Sequence, residues 1–310
     1  MPPDITVSIV NHESRDDVLA SLRALADDAA RARSLQVIVV DNASQDGSAE
    51  AFADAFPQVE LIARRTRGGY GANHNLALAR AEGAYVLFLN DDAVVRSGAI
   101  DALAGYLDGH PGVAVAAPTL VRSDGARQVS LWPTPTAAAD LMAALRLGRG
   151  RPAELDGERP QPVGWAMGCA LLVRRDAARA AGGFDEGYFM YSEEVDLCVR
   201  LAEAGGATHW VPQAEVVHDG QGTTGDSPER AIEMARSRRR YQQRHYSPAG
   251  RRLARAAIAA QFSALTLSAL VRRRPARPYA LQVVGAWREP GGPGLRERAE
   301  AFNRALPDPS

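Results

Sequence analysis

Carboxylate and carboxamide side chains follow three apolar, strand-like runs of the sequence. Asn11 ends the first run, and Asp41 follows the second. The third run delivers Asn90, Asp91 and Asp92. Because ligands of open α/β sheets lie outside the carboxyl ends of the strands, these side chains are expected on one rim. Oxygen ligands paired in this way suit Mg²⁺ or Mn²⁺, which shares them with substrate phosphates. The alternative is a solvated turn with a helix cap.

A glycine-rich stretch at residues 66–73, which contains Arg67 and ends in Asn73, follows a further predicted strand. Backbone amides of such a loop could approach a diphosphate. A flexible turn that leads into a helix would explain the glycines equally well. The stretch alone does not decide between the two.

Aromatic residues interleaved with glycine at positions 183–191 lead into a helix that carries three acids. Asp196 and Arg200 are four residues apart, so they can pair and hold the helix in place. This pairing leaves Glu193 or Glu194 to act as a base. An acidic first turn that complements the helix dipole is the alternative for at least one of the acids. The helix dipole does not account for the aromatic residues that precede the helix.

A single histidine, His218, follows the apolar run 210–217 and precedes Asp219. A histidine at a strand end can ligate a metal ion or serve the structure alone, and the sequence leaves both interpretations open. His12 and His74 have weaker claims to a functional role.

All 36 basic residues among the 310 are arginine, and the chain has no lysine. Schiff-base and pyridoxal-phosphate chemistry are therefore excluded. The lysine of P-loop enzymes and protein kinases is missing too, so phosphates must meet arginine, backbone amides or a metal. With 46% hydrophobic residues the chain can bury a large core, and disorder is excluded for most of it.

The formal charge of −1 hides an acidic body and a basic tail. Residues 1–228 carry 31 acids and 19 arginines, whereas residues 229–310 carry 6 acids and 17 arginines. Two cysteines are too few for a disulfide framework, and residues 1–30 contain no apolar signal-peptide core. We therefore expect a cytoplasmic protein.

Apolar runs alternate with amphipathic stretches over the first third of the chain, which is typical of βαβ units around a parallel sheet. The predicted strands are residues 5–10, 35–40, 59–63, 84–89 and 163–173, and the predicted helices are 14–30, 48–56, 75–81, 97–107 and 193–203. A capping box of Ser14 and Asp17 is expected to start the first helix. Residues 133–160 are predicted as a loop or lid with at most one helix, and the chain from 228 onward as helical.

The motifs occur in a characteristic order: Asn11, residues 41–44 and 89–92, residues 165–168 with 174–175, residues 183–185, and residues 193–197 with Arg200. This order resembles the family 2 glycosyltransferases, and among them the bacterial rhamnosyltransferase-like enzymes that build cell-wall and surface polysaccharides. The resemblance implies an α/β protein of the GT-A type, with a Rossmann-like, mostly parallel sheet flanked by helices and a helical C-terminal appendage. It also implies a nucleotide-sugar donor, Mg²⁺ or Mn²⁺, and inversion at the anomeric carbon.

Roles for single residues also come from the resemblance. The general base would be Glu194 or Glu193, and the metal ligands would be Asp92 and His218. The donor-binding residues would be Asn11, Asp41, Arg67, Asn73, Asn90 and Asp91, and the acceptor-binding residues Trp165, Gly168 and Asp196. Glu194 stands where many members have an aspartate, and the Arg67-Gly68-Gly69 stretch departs from the usual Asn-x-Gly.

The predicted catalytic domain covers residues 1–225, with a nucleotide-binding part at about 1–115 and an acceptor-binding part at about 116–225. Residues 226–310 are predicted as a basic helical region. The expected reaction moves a sugar, rhamnose from dTDP-rhamnose by resemblance, to a hydroxyl of a glycan or lipid-linked glycan. One alternative is a sugar nucleotidyltransferase, whose entry-loop lysine is missing here. The other is a non-catalytic sugar-binding protein on the same fold.

The uncharged residues 256–271 are followed by three arginines. Sixteen residues make about 24 Å of helix, which is short of the roughly 30 Å of a bilayer core. A span is therefore not expected, and two interpretations of residues 251–277 stay open. The segment could lie on an anionic membrane surface, peripheral on the inner face of the cell membrane. The slightly favoured interpretation is a helix packed on the catalytic domain or on a partner subunit of a homo-oligomer. Nucleic acid is not an expected partner, because the body is acidic and no binding motif is present.

Overall fold

A computed structural model describes residues 2–28, 32–145, 159–220 and 227–307. The chain forms two compact units, each assembled from separate segments. The first unit comprises Met1–Pro133, Pro152–Asp185 and Glu194–Gln221. The second comprises Thr134–Arg151, Glu186–Glu193 and Gly222–Ser310. Two segments that the predicted division at residue 225 places in the catalytic domain are thus part of the second, helical unit.

The first unit combines β-strands with α-helices. Its strands are β1 (Ile5–Asn11), β2 (Leu35–Asp41), β3 (Glu60–Ala63), β4 (Tyr85–Asn90), β5 (Ala93–Val95), β6 (Val113–Val121), β7 (Leu131–Trp132), β8 (Gln161–Val163), β9 (Trp165–Ala166), β10 (Ala170–Arg174) and β11 (Ala207–His218). Its helices are α1 (Arg15–Asp27), α2 (Ser48–Ala55), α3 (Tyr70–Arg80), α4 (Ala99–Gly109), α6 (Arg175–Ala180) and α7 (Glu193–Glu203), whose first residue belongs to the second unit.

The main sheet has the strand order β3-β2-β1-β4-β10-β6-β11-β5, and β8 pairs with β11. Strands β3, β2, β1 and β4 are parallel, and β10 runs antiparallel to β4. Every residue of β1 and β6 is buried, as expected for strands covered on both faces. The predicted α/β fold, with a mostly parallel sheet flanked by helices and a helical C-terminal region, is confirmed.

Three local predictions differ from the structure. Helix α3 begins at Tyr70, five residues before the predicted start, so it takes up the end of the glycine-rich stretch. The strand predicted at 163–173 is broken into β8, β9 and β10, with glycines at positions 164 and 168 between the pieces. Ser14 caps α1 without a side-chain bond to the helix, and its hydroxyl donates to the His12 carbonyl at 3.3 Å instead.

The second unit is helical: α5 (Ala137–Leu145), α8 (Pro228–His245), α9 (Pro248–Val271), α10 (Arg277–Trp287) and α11 (Leu295–Arg304). Helix α5 lies in the stretch predicted as a loop or lid, of which residues 146–158 are outside the described residues. Within the described residues, α9 is the one helix long and apolar enough, by length and composition alone, to cross a membrane.

Hydrogen bonds tie α5 into the second unit. Tyr241 of α8 donates to the Pro135 carbonyl at 3.2 Å, and the Tyr246 hydroxyl donates to Asp140 Oδ2 at 3.2 Å. Gln282 of α10 donates to the Ala231 carbonyl of α8 at 2.6 Å. The segment around α5 is therefore part of the helical packing.

Candidate active site

Asn11 and Asp41 face each other at the carboxyl ends of β1 and β2, where the parallel register pairs them. Asn11 Nδ2 donates to Asp41 Oδ1 at 2.7 Å and to Ser44 Oγ at 3.0 Å, and Asp41 Oδ2 accepts the Ser44 amide at 3.1 Å. Both Nδ2 partners are acceptors, so Asn11 Oδ1 faces the other way. This oxygen is buried and accepts no hydrogen bond within the described residues. It is an open acceptor beside a carboxylate.

The glycine-rich stretch is a packed turn. Asn42 clamps Gly68 from both sides, because its Oδ1 accepts the Gly68 amide at 2.7 Å and its Nδ2 donates to the Gly68 carbonyl at 3.1 Å. The guanidinium of Arg64 lies against Gly68, where a Cβ would collide with it, and donates to Asn73 Oδ1. The Gly68 amide, a predicted donor to a diphosphate, thus donates to Asn42 in this structure.

Arg67 and Asn73, both predicted to bind the donor, are engaged in the protein itself. The Arg67 guanidinium forms an ion pair with Glu13 Oε1 at 2.6 Å. Asn73 is fully buried and supports the turn through Arg64 and Gly68. In this structure Asn73 therefore supports the glycine-rich turn from the protein interior, and Arg67 lies at the edge of the site.

Tyr70, the first residue of α3, links two rims of the site. Its hydroxyl lies 2.8 Å from Asn90 Oδ1 and 2.8 Å from the Gly168 carbonyl oxygen. The ring packs edge-on to His74 at 4.4 Å, and His74 Nδ1 lies 2.7 Å from the buried Ser8 hydroxyl. Burial lowers the pKa of His74 to about 3, so the ring is neutral. His74 is thus a structural support for Tyr70.

Asp91 and Asp92 form the turn between β4 and β5, and β5 pairs with the end of β11 so that His218 lies opposite Ala93. His218 Nε2 is 3.3 Å from Asp92 Oδ1. The Asp92 side chain is 36% exposed, while that of His218 is 6% exposed. The sheet thus brings together two residues that the sequence places far apart.

Gln128 fixes the orientation of His218. Its Nε2 donates to the His218 carbonyl, so its Oε1 faces the ring and accepts from His218 Nδ1 at 3.0 Å. With the proton on Nδ1, the lone pair of Nε2 points towards a carboxylate oxygen. Two acceptors at this distance need a cation or a second ring proton between them.

The two aspartates have different electrostatic surroundings. Burial and, to a smaller extent, the charge of Asp92 raise the pKa of Asp91 to about 6. Burial acts in the same direction on Asp92, but the His218 ring, when it carries its second proton, together with hydrogen bonds from Asn90 and the local backbone, outweighs burial and holds the pKa of Asp92 below its usual range. Asp92 is therefore the fully ionised carboxylate of the pair.

Glu194 lies against Gly168. A Cβ added at Gly168 would be 3.3 Å from Glu194 Cβ and 3.5 Å from its Cγ, so the glycine leaves room for the glutamate. The neighbouring Cys169 carbonyl accepts the Asn90 amide at 2.9 Å. The dipeptide 168–169 thus connects Glu194 to the end of β4, which carries the aspartates.

Glu193 and Glu194 differ in exposure. Glu194 is half-buried, whereas Glu193, which belongs to the second unit, is buried. Tyr191 and Ser192, immediately before them, both have left-handed backbone conformations with φ of 70° and 67°. Such strain in non-glycine residues is concentrated at functional sites.

Asp196 and Arg200 form the ion pair that their spacing predicts. Arg200 Nε donates to Asp196 Oδ2 at 2.6 Å, and the same guanidinium donates to the carbonyls of Ala181 and Gly183. Asp196 has no exposed surface. In this structure Asp196 anchors α7. We therefore propose a structural role for Asp196, which the resemblance assigns to acceptor binding.

Trp165 of β9 is stacked on Trp132 of β7, with ring centroids 4.3 Å apart and planes 14° apart. The two strands pair antiparallel, with Trp132 opposite Trp165. Both rings are half-buried, so the pair offers part of an aromatic surface.

A family model described as Glycosyl transferase family 2 matches residues 6–181, which is more than half of the chain. The chain belongs to glycosyl transferase family 2. It is a glycosyltransferase enzyme, and the predicted family and enzyme class are confirmed.

Two curated relatives of this glycosyltransferase are rhamnosyltransferases. N-acetylglucosaminyl-diphospho-decaprenol L-rhamnosyltransferase of Mycobacterium tuberculosis is 34% identical over 221 residues, which cover 63% of this chain and 70% of that protein. Rhamnosyltransferase WbbL of Escherichia coli is 32% identical over 164 residues, or 48% of this chain and 60% of that protein.

Among solved structures, the glycosyltransferase is similar to the mannosyltransferase PcManGT from Pyrobaculum calidifontis, which was determined in complex with GDP-Man and Mn²⁺. The TM-score is 0.57 at 17% identity, and the match covers 98% of this chain and 88% of that one. This likeness concerns the fold.

Sequence reasoning missed several parts of the site of this glycosyltransferase: Asn42, Arg64, Tyr70, Gln128 and Trp132. Asn42 and Tyr70 lie within the motif at 41–44 and the glycine-rich stretch, next to residues with a predicted role. Arg64, Gln128 and Trp132 carried no local signal, because each acts on a partner at least nine positions away.

Asp196→Ala is expected to lower the free energy of unfolding of the glycosyltransferase by about 3–5 kcal/mol, because it leaves Arg200, whose side chain is only 11% exposed, without its carboxylate. Urea unfolding followed by circular dichroism measures the change. Asp176→Ala is the matched control: its ion pair with Arg175 is at the surface, and the loss is expected to stay within about 1 kcal/mol. Equal losses in the two variants would contradict the anchoring role of Asp196.

Proposed function

We propose that the protein is an inverting, metal-assisted glycosyltransferase that moves a sugar from a nucleoside-diphosphate donor to a hydroxyl of a glycan or lipid-linked glycan. The observation that carries this proposal is the arrangement of Gln128, His218 and Asp92. Without a cation, His218 Nε2 and Asp92 Oδ1 need a proton between them, carried by the ring or by the carboxyl group.

The residues present fit a divalent cation that is shared with a substrate. Within the described residues, no group of three or more histidine, cysteine, aspartate or glutamate side chains is placed to hold a metal ion alone. Two ligands, Asp92 and His218, leave positions for phosphate oxygens, which is how Mg²⁺ and Mn²⁺ are commonly bound beside nucleotides. When bound, such a cation offsets the charge that develops on a departing diphosphate.

Glu194 is the proposed general base. Glu194 is half-buried as a residue, with its Oε2 buried, whereas Glu193 is buried as a whole and is better suited to a structural role. Deprotonation by Glu194 turns the hydroxyl into a nucleophile as the sugar leaves the diphosphate. Gly168, predicted to touch the acceptor, instead makes room for Glu194, and Tyr70 holds the Gly168 carbonyl in place.

The donor base or ribose is proposed to bind at Asp41, with Asn11 Oδ1 as the neighbouring acceptor for an N–H group. Asn90 and Asp91 are proposed to line the same pocket. dTDP-rhamnose is the first donor to test, since both curated relatives are named as rhamnosyltransferases. The name of the mycobacterial relative supports an N-acetylglucosaminyl diphosphate lipid as the acceptor.

Calorimetry against dTDP-rhamnose and a series of UDP- and GDP-sugars, each with Mg²⁺ or Mn²⁺, tests the donor. We expect metal-dependent binding of one donor and transfer to an N-acetylglucosaminyl diphosphate lipid with inversion, seen by NMR of the product. Donor binding without turnover on any acceptor would instead favour a sugar-binding protein. If no nucleotide sugar binds, the proposed function is wrong.

Gln128→Ala is expected to weaken Mn²⁺ binding by about 10–100-fold, because the His218 ring loses the partner that fixes its tautomer. Electron paramagnetic resonance of free Mn²⁺, in the presence of the nucleoside diphosphate, measures this affinity. Gln58→Ala, an exposed glutamine outside the site, is the control. Unchanged affinity in Gln128→Ala would contradict the orienting role.

Trp165→Ala is expected to raise KM for the acceptor by about 10-fold, which corresponds to an aromatic contact of about 1.5 kcal/mol. The donor Kd should not change, since the aromatic pair is assigned to the acceptor. Initial rates at varied acceptor concentration and calorimetry with the donor give the two constants. Trp287→Ala, an exposed tryptophan of the second unit, is the control. If only the donor Kd rises, the aromatic pair contacts the donor and not the acceptor.

A further inference from the structure

The last turn of α9 leaves large apolar side chains uncovered. Leu267, Leu270 and Val271 are 64%, 61% and 75% exposed. Their spacing of three and four residues puts them on one face of the helix. Earlier parts of α9 are packed, since Ile258 and Ala259 form a buried cluster with Ala286 of α10. Leu253 near the start of α9 is 42% exposed, so the most exposed apolar surface lies at the C-terminal end of the helix.

Four exposed arginines surround the end of this helix in sequence: Arg272, Arg273, Arg274 and Arg277. None of them forms an ion pair within the described part of the chain. The wider segment 248–288 contains eight arginines and no aspartate or glutamate. Unlike the arginines of α11, they have no local acid to neutralise them.

The turn that carries these arginines is ordered by backbone hydrogen bonds. The amides of Arg272, Arg273 and Arg274 donate to the carbonyls of Ser268, Leu270 and Ala269 at 3.0, 3.1 and 2.8 Å. Arg273 has φ of 53°, a left-handed conformation that glycine or asparagine adopts more readily. Arg273 thus takes the left-handed position that ends α9.

We propose that residues 267–277, here called the elbow, dock on a bilayer surface rich in anionic phospholipid. Apolar side chains beside unpaired arginines match a surface in which phosphates lie above acyl chains. A membrane span is disfavoured, because Ala254, Ala257 and Ile258 of the same helix are buried in the protein. The proposed membrane contact is thus confined to residues 267–277 of the predicted region 251–277. This proposal does not depend on the proposed reaction.

Sedimentation with lipid vesicles tests the elbow in the full chain. One set of vesicles contains phosphatidylglycerol and phosphatidylcholine, and the other phosphatidylcholine alone. The charge variant is R272Q/R273Q/R274Q/R277Q, and the apolar variant is L267S/L270S. The matched control, R23Q/R80Q/R298Q/R304Q, removes the same number of exposed arginines from other helices. Circular dichroism and thermal unfolding of each variant monitor the fold.

We expect the full chain and the control to bind anionic vesicles, and binding to fall as salt rises. The charge variant should bind about 100-fold more weakly, since each arginine near an anionic surface contributes to the affinity. The apolar variant should bind more weakly too. Any of three results would overturn the proposal: no binding by the full chain, equal binding by all variants, or equal binding to both vesicle types.

A second copy of the chain is the other candidate for covering the elbow. Sedimentation velocity without lipid tests this directly. If the protein self-associates and L267S/L270S abolishes the association, the elbow is a protein interface and the membrane proposal is wrong. A full chain that stays monomeric and binds anionic vesicles supports the proposal.

Discussion

Glu194→Gln is expected to lower kcat by about 10²–10⁴-fold, the usual contribution of a positioned general base. The substitution keeps the size of the side chain and therefore its fit against Gly168. It removes the ability to accept a proton from the acceptor hydroxyl. Initial rates with saturating donor and acceptor measure the loss, and donor binding by calorimetry should stay unchanged.

Two variants make this result specific. Glu203→Gln, at the exposed end of the same helix, should retain full activity. Glu193→Gln is expected to act on stability before it acts on rate, because Glu193 is buried. If Glu193→Gln lowers kcat and Glu194→Gln does not, the two residues exchange roles. Full activity in both the Glu193→Gln and the Glu194→Gln variant would show that the general base is not on α7.

Asp92→Asn is expected to lower kcat/KM by about 10³-fold, equivalent to about 4 kcal/mol of charge stabilisation by a bound cation. Asparagine retains the shape of the turn between β4 and β5, but it is a weaker ligand for a hard cation. Mn²⁺ titration followed by electron paramagnetic resonance should show a parallel loss of affinity. This second readout does not depend on turnover.

Asp54→Asn is the control for Asp92→Asn, since it makes the same chemical change on the exposed surface of α2. It should leave both activity and Mn²⁺ affinity unchanged. A variant His218→Ala should weaken Mn²⁺ in the same direction as Asp92→Asn, because the two side chains face each other at 3.3 Å. Undiminished Mn²⁺ binding in Asp92→Asn would place the cation elsewhere.

The rim of polar residues was predictable because it depends on strand ends. The apolar runs before Asn11, Asp41 and Asn90 mark three strands, and parallel neighbours must bring their ends together. The pairing of Asp196 with Arg200 was predictable for a similar reason, since helical spacing alone brings them into contact. In both cases the periodicity of one element, or of two neighbouring ones, sets the geometry.

Residues that act through long-range contacts could not be predicted in this way. Gln128 meets His218 across 90 positions, and Tyr70 meets Gly168 across 98. Such contacts depend on the full strand order of the sheet, which local periodicity does not specify. Gly168 shows the same limit, since its contact with Glu194 joins two elements whose proximity local periodicity does not specify.

The second unit is discontinuous, and this makes it unsuitable as an interchangeable module. It draws on Thr134–Arg151 and Glu186–Glu193 as well as on the C-terminal helices. Ser237 of α8 donates to the Met190 carbonyl at 2.7 Å, and Arg296 of α11 donates to the Gly187 carbonyl at 2.8 Å. A chimaera joined at residue 225 would therefore take these donors away from the segment that runs directly into Glu194. Grafting between relatives would have to exchange all three segments together.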